Sequence, residues 1–455
     1  VKDSVDKLPA NRFLSTVIGV FLLIMMGTTQ ASAQASGIRD TEIELFLRKL
    51  ADPLLVAAGI APESVPIYIL SDPTINAFVT RNNSMYIHTG LLIQADRPGQ
   101  IQGVIAHEIG HIAGGHAVRM SDAYATASRP ILVSMGLGLL AMIAGSPDAG
   151  LAIMSSGQHI AQRTILRHSR IQESSADQAA VTYLTKIGRS GRGLLEMTEK
   201  FRHMEVLSAQ NQNPYVRTHP LSSDRIASLS RRVAASPYGD VPDTPEDIFE
   251  FKMIQAKLWG FMNKPQITFR IYPQSNTSLP SLYARAIAHY RTPDIDKAVA
   301  DVTHLLTVEP GNPYFNELMG QILFEYGRVE ESIPYHQKSV ELLPTAPLLH
   351  LNLAQAMLAT EKKVYTDAAV KNLEQTIKFE KDNSFAWYLL AIAYARDNEK
   401  GKADLATAER YFYNRRLPQA AQFAIRARKD LKKGTPQWLR ANDIILIASA
   451  EVGKR

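Results

Sequence analysis

His107-Glu108-Ile109-Gly110-His111 constrains this chain more than any other stretch of its 455 residues. Ile101, Val104, Ile105, Ile109 and Ile112 keep an apolar rhythm of about 3.6 residues around it, which predicts a helix running from just after Pro98-Gly99 to Gly114-Gly115. On a helix the two histidines stand one turn apart on one face, where both imidazoles can hold one metal ion. Glu108 then lies beside the metal, placed to take a proton from a water that zinc has acidified. The chain has no cysteine, which excludes thiolate ligands and disulfides and favours a His/Glu site for one Zn2+.

A third ligand is needed. The pattern H-E-x-x-H-x-x-G-x-x-H is met by Gly114 but requires histidine at 117, where the chain has Ala117; His116 is one residue out of register. The alternative is a glutamate on a later helix with an aspartate one turn on, and Glu173-Ser174-Ser175-Ala176-Asp177 supplies that pair. Glu173 becomes the third ligand, and Asp177 accepts the N–H of a ligand histidine and fixes its tautomer. Further on, Thr218-His219-Pro220 through Arg225-Ile226 reads as a loop entering a helix, with a histidine and an arginine at its two ends.

Taken together, His107-Glu108-x-x-His111, Glu173-x-x-Ala176-Asp177 and His219-Pro220-x-x-x-x-Arg225-Ile226 resemble the gluzincin peptidases related to the CaaX prenyl protease and the HtpX heat-shock protease, over about residues 40–232. The stretch from Asn76 to Leu92 is similar to the family's segment before the zinc helix, with Arg81-Asn82-Asn83-Ser84 standing where a glycine-rich turn is common. The resemblance implies that His107, His111 and Glu173 bind zinc, that Glu108 is general base and then acid, and that Asp177 supports a ligand. It also puts His219 at the site, either as an oxyanion donor or as a fourth zinc ligand that holds the enzyme latent, the reading preferred here. Arg225 is expected to pair with a site carboxylate. The strand near Ser84–His88 is expected to hold substrate by edge pairing.

The N-terminus reads as a signal peptide over 1–33: Lys2, Lys7 and Arg12 precede an apolar run from Phe13 to Met26, and Ala31-Ser32-Ala33 offers a cleavage site. A retained anchor is the alternative. Between the two metal motifs, Pro130 to Met154 is apolar but broken by glycines and short for a membrane span. It is expected to be a buried hairpin, with peripheral membrane contact at 130–154 as the alternative.

Past residue 233 the pattern changes. Pro237, Pro242 and Pro245 mark a linker and helical connection over 233–279. From about 280, Ala286, Gly320 and Ala354 recur every 34 residues, as do Pro310 and Pro344, and Ala298 and Ser332. After Glu361-Lys362-Lys363 the small residues resume at Ala369 and Ala391. That period is the tetratricopeptide signature, a solenoid whose groove takes an extended or helical peptide. Three good repeats and a poorer fourth are expected over 280–433, then a helical tail at 434–455. Residues 395–455 hold 14 Lys+Arg against 7 Asp+Glu, read as a solvated helix face.

The predicted architecture is mainly α with a small β-sheet: an α/β zincin-type peptidase domain at 37–232 followed by an α-helical solenoid. A secreted gluzincin joined to tetratricopeptide repeats resembles the beta-barrel assembly-enhancing protease group of Gram-negative bacteria. That resemblance implies a periplasmic enzyme acting on unfolded or stalled outer-membrane proteins, with assembly machinery recruited through the repeat groove and no nucleic-acid partner. The competing expectation is a chaperone or assembly scaffold whose zinc site is latent or structural.

Overall fold

The protein is described here from a computed structural model that covers residues 37–143, 146–207, 215 and 219–452. The leader expected at 1–33 lies outside the described residues. A four-stranded sheet is built from β1 (Gly37–Ile38), β2 (Ile67–Leu70), β3 (Ala77–Val79) and β4 (Met85–His88) in the order β1-β2-β4-β3. β4 runs parallel to β2 and antiparallel to β3. The β3–β4 turn closes with Thr80 N–H donating to Ser84 O at 3.0 Å. Asn83 takes φ 60° there, doing the work of the family's glycine because its short polar side chain tolerates the left-handed region.

β4 is flanked on both sides, so the expectation that Ser84–His88 offers a free edge is corrected. The free edge belongs to β3. Thr80 N–H and Asn76 O both bond to the β4 strand, so by antiparallel alternation the peptide groups of Ala77 and Val79 point outward.

α1 (Thr41–Ala57) starts at Asp40, whose carboxylate accepts from Ile43 N–H at 2.9 Å, and buries Ile43, Phe46, Leu47, Leu50 and Leu54. After α2 (Thr89–Gln94), α3 (Pro98–Ala113) carries the paired histidines through the middle of the core, with residues 98–111 buried all round. A helix apolar or shielded on every face must be covered on every face. α4 (His116–Ile143) and α5 (Pro147–Lys186) form a long antiparallel hairpin, and the lower part of α5 crosses α3. Gly110 permits that crossing: a Cβ there would sit 2.8 Å from Ala176 O. α6 (Arg192–Leu207) packs on α3, and α7 (Ser223–Ala235) is capped by Ser222, which accepts from Arg225 N–H at 3.2 Å.

The upper part of the α4–α5 hairpin is not buried, contrary to the expectation for 130–154. Leu132, Leu140 and Ile143 are 67%, 64% and 83% exposed.

Residues 233–279 were expected to be a linker and helical connection, and the helix there, α8 (Pro245–Met262), belongs to two cores at once. Phe251, Ile254 and Leu258 enter the peptidase core while Met253 joins the core of the first repeat. Pro245 starts that helix, and Pro265 the next, since Pro at the first helical turn costs no hydrogen bond, while Pro237 and Pro242 lie in the turn before them. α9 (Pro265–Ile271) follows.

The helical array has five pairs among the described residues: α10 (Leu279–Tyr290) with α11 (Ile295–Val308), α12 (Pro313–Glu325) with α13 (Val329–Leu342), α14 (Pro347–Ala359) with α15 (Thr366–Phe379), α16 (Ser384–Arg396) with α17 (Lys400–Tyr413), and α18 (Leu417–Asp430) with α19 (Pro436–Val452). Ala286, Gly320, Ala354, Ala298, Ser332 and Ala369 are buried at the crossings. Gly320 faces the His336 ring, which a Cβ would meet at 2.7 Å. The expected tail beyond 433 is the second helix of the fifth pair, held by Ala420, Ala424, Ala427, Ala441 and Ile444. The small-residue seam continues there without the consensus spacing.

Candidate metal centre

α3, α5 and the turn before α7 meet at one buried point. His107 Nε2 and His111 Nε2 are 3.0 Å apart. Glu173 faces both, its carboxylate oxygens 3.3 Å from each nitrogen. His219 enters from the third side through Nδ1, 3.1 and 3.2 Å from the two Glu173 oxygens and 3.3 Å from His107 Nε2. All four residues are buried, and their facing atoms lie within 4.8 Å of one another.

These spacings suit a metal. Zinc–nitrogen bonds of about 2.0–2.1 Å put tetrahedral ligand atoms about 3.3 Å apart, the separation seen here. Three ring nitrogens and a carboxylate, all on buried residues and turned on one point, form a set that one divalent cation satisfies together.

Asp177, one turn below Glu173, stands 2.9 Å from His107 Nδ1. Arg225 grips Asp177 through Nε and Nη2, the latter at 2.9 Å, and reaches Glu173 Oε2 through Nη1 at 2.9 Å. The guanidinium is therefore the partner of both carboxylates, the pairing that spacing left open. It is 7% exposed, and a buried charge of this kind persists only when matched so completely.

The electrostatics follow from burial and these pairs. Burial alone raises a carboxylate, but Arg225 and His107 outweigh it and bring Asp177 down to about 2. Burial opposes charge on Glu173 too, yet His219, His107 and His111 hold it well below the usual range. Burial disfavours a charged His107, and the carboxylates of Asp177 and Glu173 reverse this, lifting it to about 9. His111 is pushed down to about 3, by burial first and by its charged neighbour His107.

Glu108 is set apart. Its carboxyl is raised by burial, neither oxygen has a hydrogen-bond partner, and Oε1 lies 3.6 Å from His219 Nε2. An unsatisfied pair of buried oxygens beside the cluster marks a place for a polar reactant.

Every residue singled out from the sequence arrives here: His107, Glu108, His111, Glu173, Asp177, His219 and Arg225. Three others join them. His116 Nδ1 stands 2.9 Å from His111 Nδ1. The Tyr215 ring stacks on His219 at 4.4 Å and on Phe201 at 4.2 Å, giving the histidine an aromatic floor. His116 had been set aside because the ligand register excluded it.

Comparison with known proteins agrees with this geometry. The profile of peptidase family M48 matches residues 38–233. This segment is similar to peptidase family M48. The M48 segment contains all seven residues, and the chain is a metalloendopeptidase. Over 450 residues it is 27% identical to the beta-barrel assembly-enhancing protease of Escherichia coli K12, covering 96% of this chain and 90% of that one. It is 24% identical over 415 residues to the protein of the same name in Yersinia pestis, covering 90% and 84%. It is also 27% identical over 180 residues to the human mitochondrial metalloendopeptidase OMA1, covering 38% of this chain and 33% of that one. Among solved structures, MamA aligns at TM-score 0.28 with 20% identity over 37% of this chain and 97% of its own, and the TPR protein YrrB at 0.29 with 16% identity over 50% and 97%. Scores this low carry no argument, and the solenoid is read from its helix pairs.

Proposed function

We propose that this chain is a periplasmic zinc endopeptidase of outer-membrane protein quality control, kept latent by His219. The observation that carries the latency is the position of His219 Nδ1, which closes the fourth side of the cluster and stands where a water or a substrate carbonyl must enter.

His107, His111 and Glu173 hold the metal, which when bound supplies Lewis acidity for water activation and carbonyl polarisation. Glu108 does the proton work: its carboxylate takes the proton of the attacking water and passes it to the leaving amine. Asp177 fixes His107 with Nδ1 protonated, so that Nε2 presents its lone pair to the centre. Arg225 keeps both carboxylates ionised. With a metal held there, substrate would have to displace His219 from the fourth position before its carbonyl could enter. The substrate backbone adds to the outward edge of β3 beside α3, and the repeat groove recruits the client or its assembly machinery.

The relatives' printed name and their coverage of almost the whole chain support the barrel-assembly role. Their Gram-negative sources, with the leader read at 1–33, support the periplasm. The test is zinc content and cleavage of casein and of an unfolded barrel protein by wild type, Glu108→Gln and His219→Ala. The reading expects one zinc in each, a loss of at least about a hundredfold in Glu108→Gln and a gain of about tenfold in His219→Ala once the closed state no longer competes. Zinc without cleavage in any of the three would favour the scaffold alternative.

A further inference from the structure

Pairs of helices in water turn their large apolar side chains toward each other, and the upper α4–α5 hairpin does the reverse. At its seam Ser134 and Gly138 meet Gly150 and Gly157, all buried, with Met142 and Met154 laid over the glycines; a Cβ on Gly138 would meet Gly150 O at 2.7 Å. The bulky residues face outward instead: Leu132, Val133, Leu137, Leu139, Leu140 and Ile143 are each more than half exposed. Close backbone approach through small residues with aliphatics on the outside is the packing of helices whose solvent is lipid.

Charge marks where that solvent ends. From Pro130 to Gln162 the sequence has no Lys or Arg and one acid, Asp148 at the tip. Directly below, Arg129 on α4 and Arg163, Arg167 and Arg170 on α5 are all exposed. Such a belt under an apolar tip fits anionic headgroups meeting acyl chains. A water-filled groove or a neutral protein surface gives it no reason to be there.

We propose that this hairpin anchors the enzyme peripherally to an anionic bilayer. The fourteen steps from Arg129 to Ile143 rise about 21 Å, less than the roughly 30 Å hydrocarbon core. With Asp148 at the turn, the hairpin lies tilted in the interfacial layer and does not span it. Glu173 is ten residues below Arg163 and three below Arg170 on the same helix, so the metal centre sits about 5–15 Å below the arginine belt along the helix axis. The anchor thus holds the peptidase over the membrane surface, and this stands whether or not His219 is a latch.

Because the chain has no cysteine, Leu140→Cys can be labelled alone with an environment-sensitive dye in the full-length protein. Vesicles of phosphatidylethanolamine and phosphatidylglycerol should shift its emission to the blue and float the protein. Pure phosphatidylcholine should do neither. Replacing Arg129, Arg163 and Arg167 with serine should weaken binding by about fivefold per arginine, and Leu139→Glu with Leu132→Glu should abolish it. Both variants should keep wild-type circular dichroism and peptide cleavage in solution, since these side chains lie on the exposed face of the hairpin. The proposal fails if the glutamate variant floats as wild type does, or if the dye ignores anionic vesicles. It also fails if the dye responds only to protein concentration as the mass doubles, because a second copy then covers the face.

Discussion

Arg225 holds two buried carboxylates with one guanidinium, and through Asp177 it sets the orientation of His107. Asp177→Asn removes the charge that keeps His107 Nδ1 protonated, so zinc affinity should fall by about 10–100-fold in chelator competition with the fold intact. With Asp177 brought down to about 2, wild-type affinity should show no loss from this residue until the pH falls toward that value. His107, Glu108, His111, Glu173 and Asp177 were legible because each sits on a helix, where spacing i, i+3 and i+4 fixes which side chains share a face. His219 was legible only as part of a resemblance, since it reaches the centre from a turn 46 residues beyond Glu173. Tyr215 carried no signal at all. Its ring stacks on His219 and Phe201, and no spacing rule marks a tyrosine four residues before a histidine.

At the scale of elements, the sheet shows what local pattern cannot decide. Met85–His88 has the alternation of a strand, but its neighbours come from residues 67–70 and 77–79, and only the fold assigns the free edge to β3. Val79→Pro deletes one outward N–H and leaves the bonds to β4 in place. Cleavage of an extended peptide should fall by about tenfold, the order of one to two lost hydrogen bonds. Equal rates for this variant and wild type would remove the β3 docking site. The α3–α5 crossing offers a structural counterpart. Gly110→Val drives two methyl groups into the Ala176 backbone and should cost about 1–3 kcal/mol or more in urea unfolding, with loss of zinc as Glu173 moves away.

Across the whole molecule, α8 makes peptidase and solenoid one body. Lys257 on it is buried, 2.6 Å from Asp40 and 3.2 Å from Glu42, and Tyr283 of the first repeat donates to Glu42 at 3.0 Å. Beside them a cavity of about 300 Å³ is lined by Lys257, Tyr314, Glu317 and Asn352. Burial raises Glu317 to about 7, so between its unfolded value and 7 the folded chain binds more protons than the unfolded one. Stability from this group is therefore present at low pH and lost as pH rises toward 7. Glu317→Gln should melt at nearly the same temperature as wild type near pH 4, below the unfolded value, and higher at pH 8, and equal melting temperatures at both would contradict the burial argument. The 34-residue period revealed the solenoid, because repeated helix crossings demand repeated small residues. The bond between solenoid and peptidase was hidden, since it rests on charges far apart in sequence.

The central claim is that His219 completes the resting zinc shell, and zinc K-edge X-ray absorption on the full chain reads that shell directly. The account predicts three imidazoles and a carboxylate in wild type, and two imidazoles with an added oxygen in His219→Ala. Two imidazoles in both proteins would contradict it.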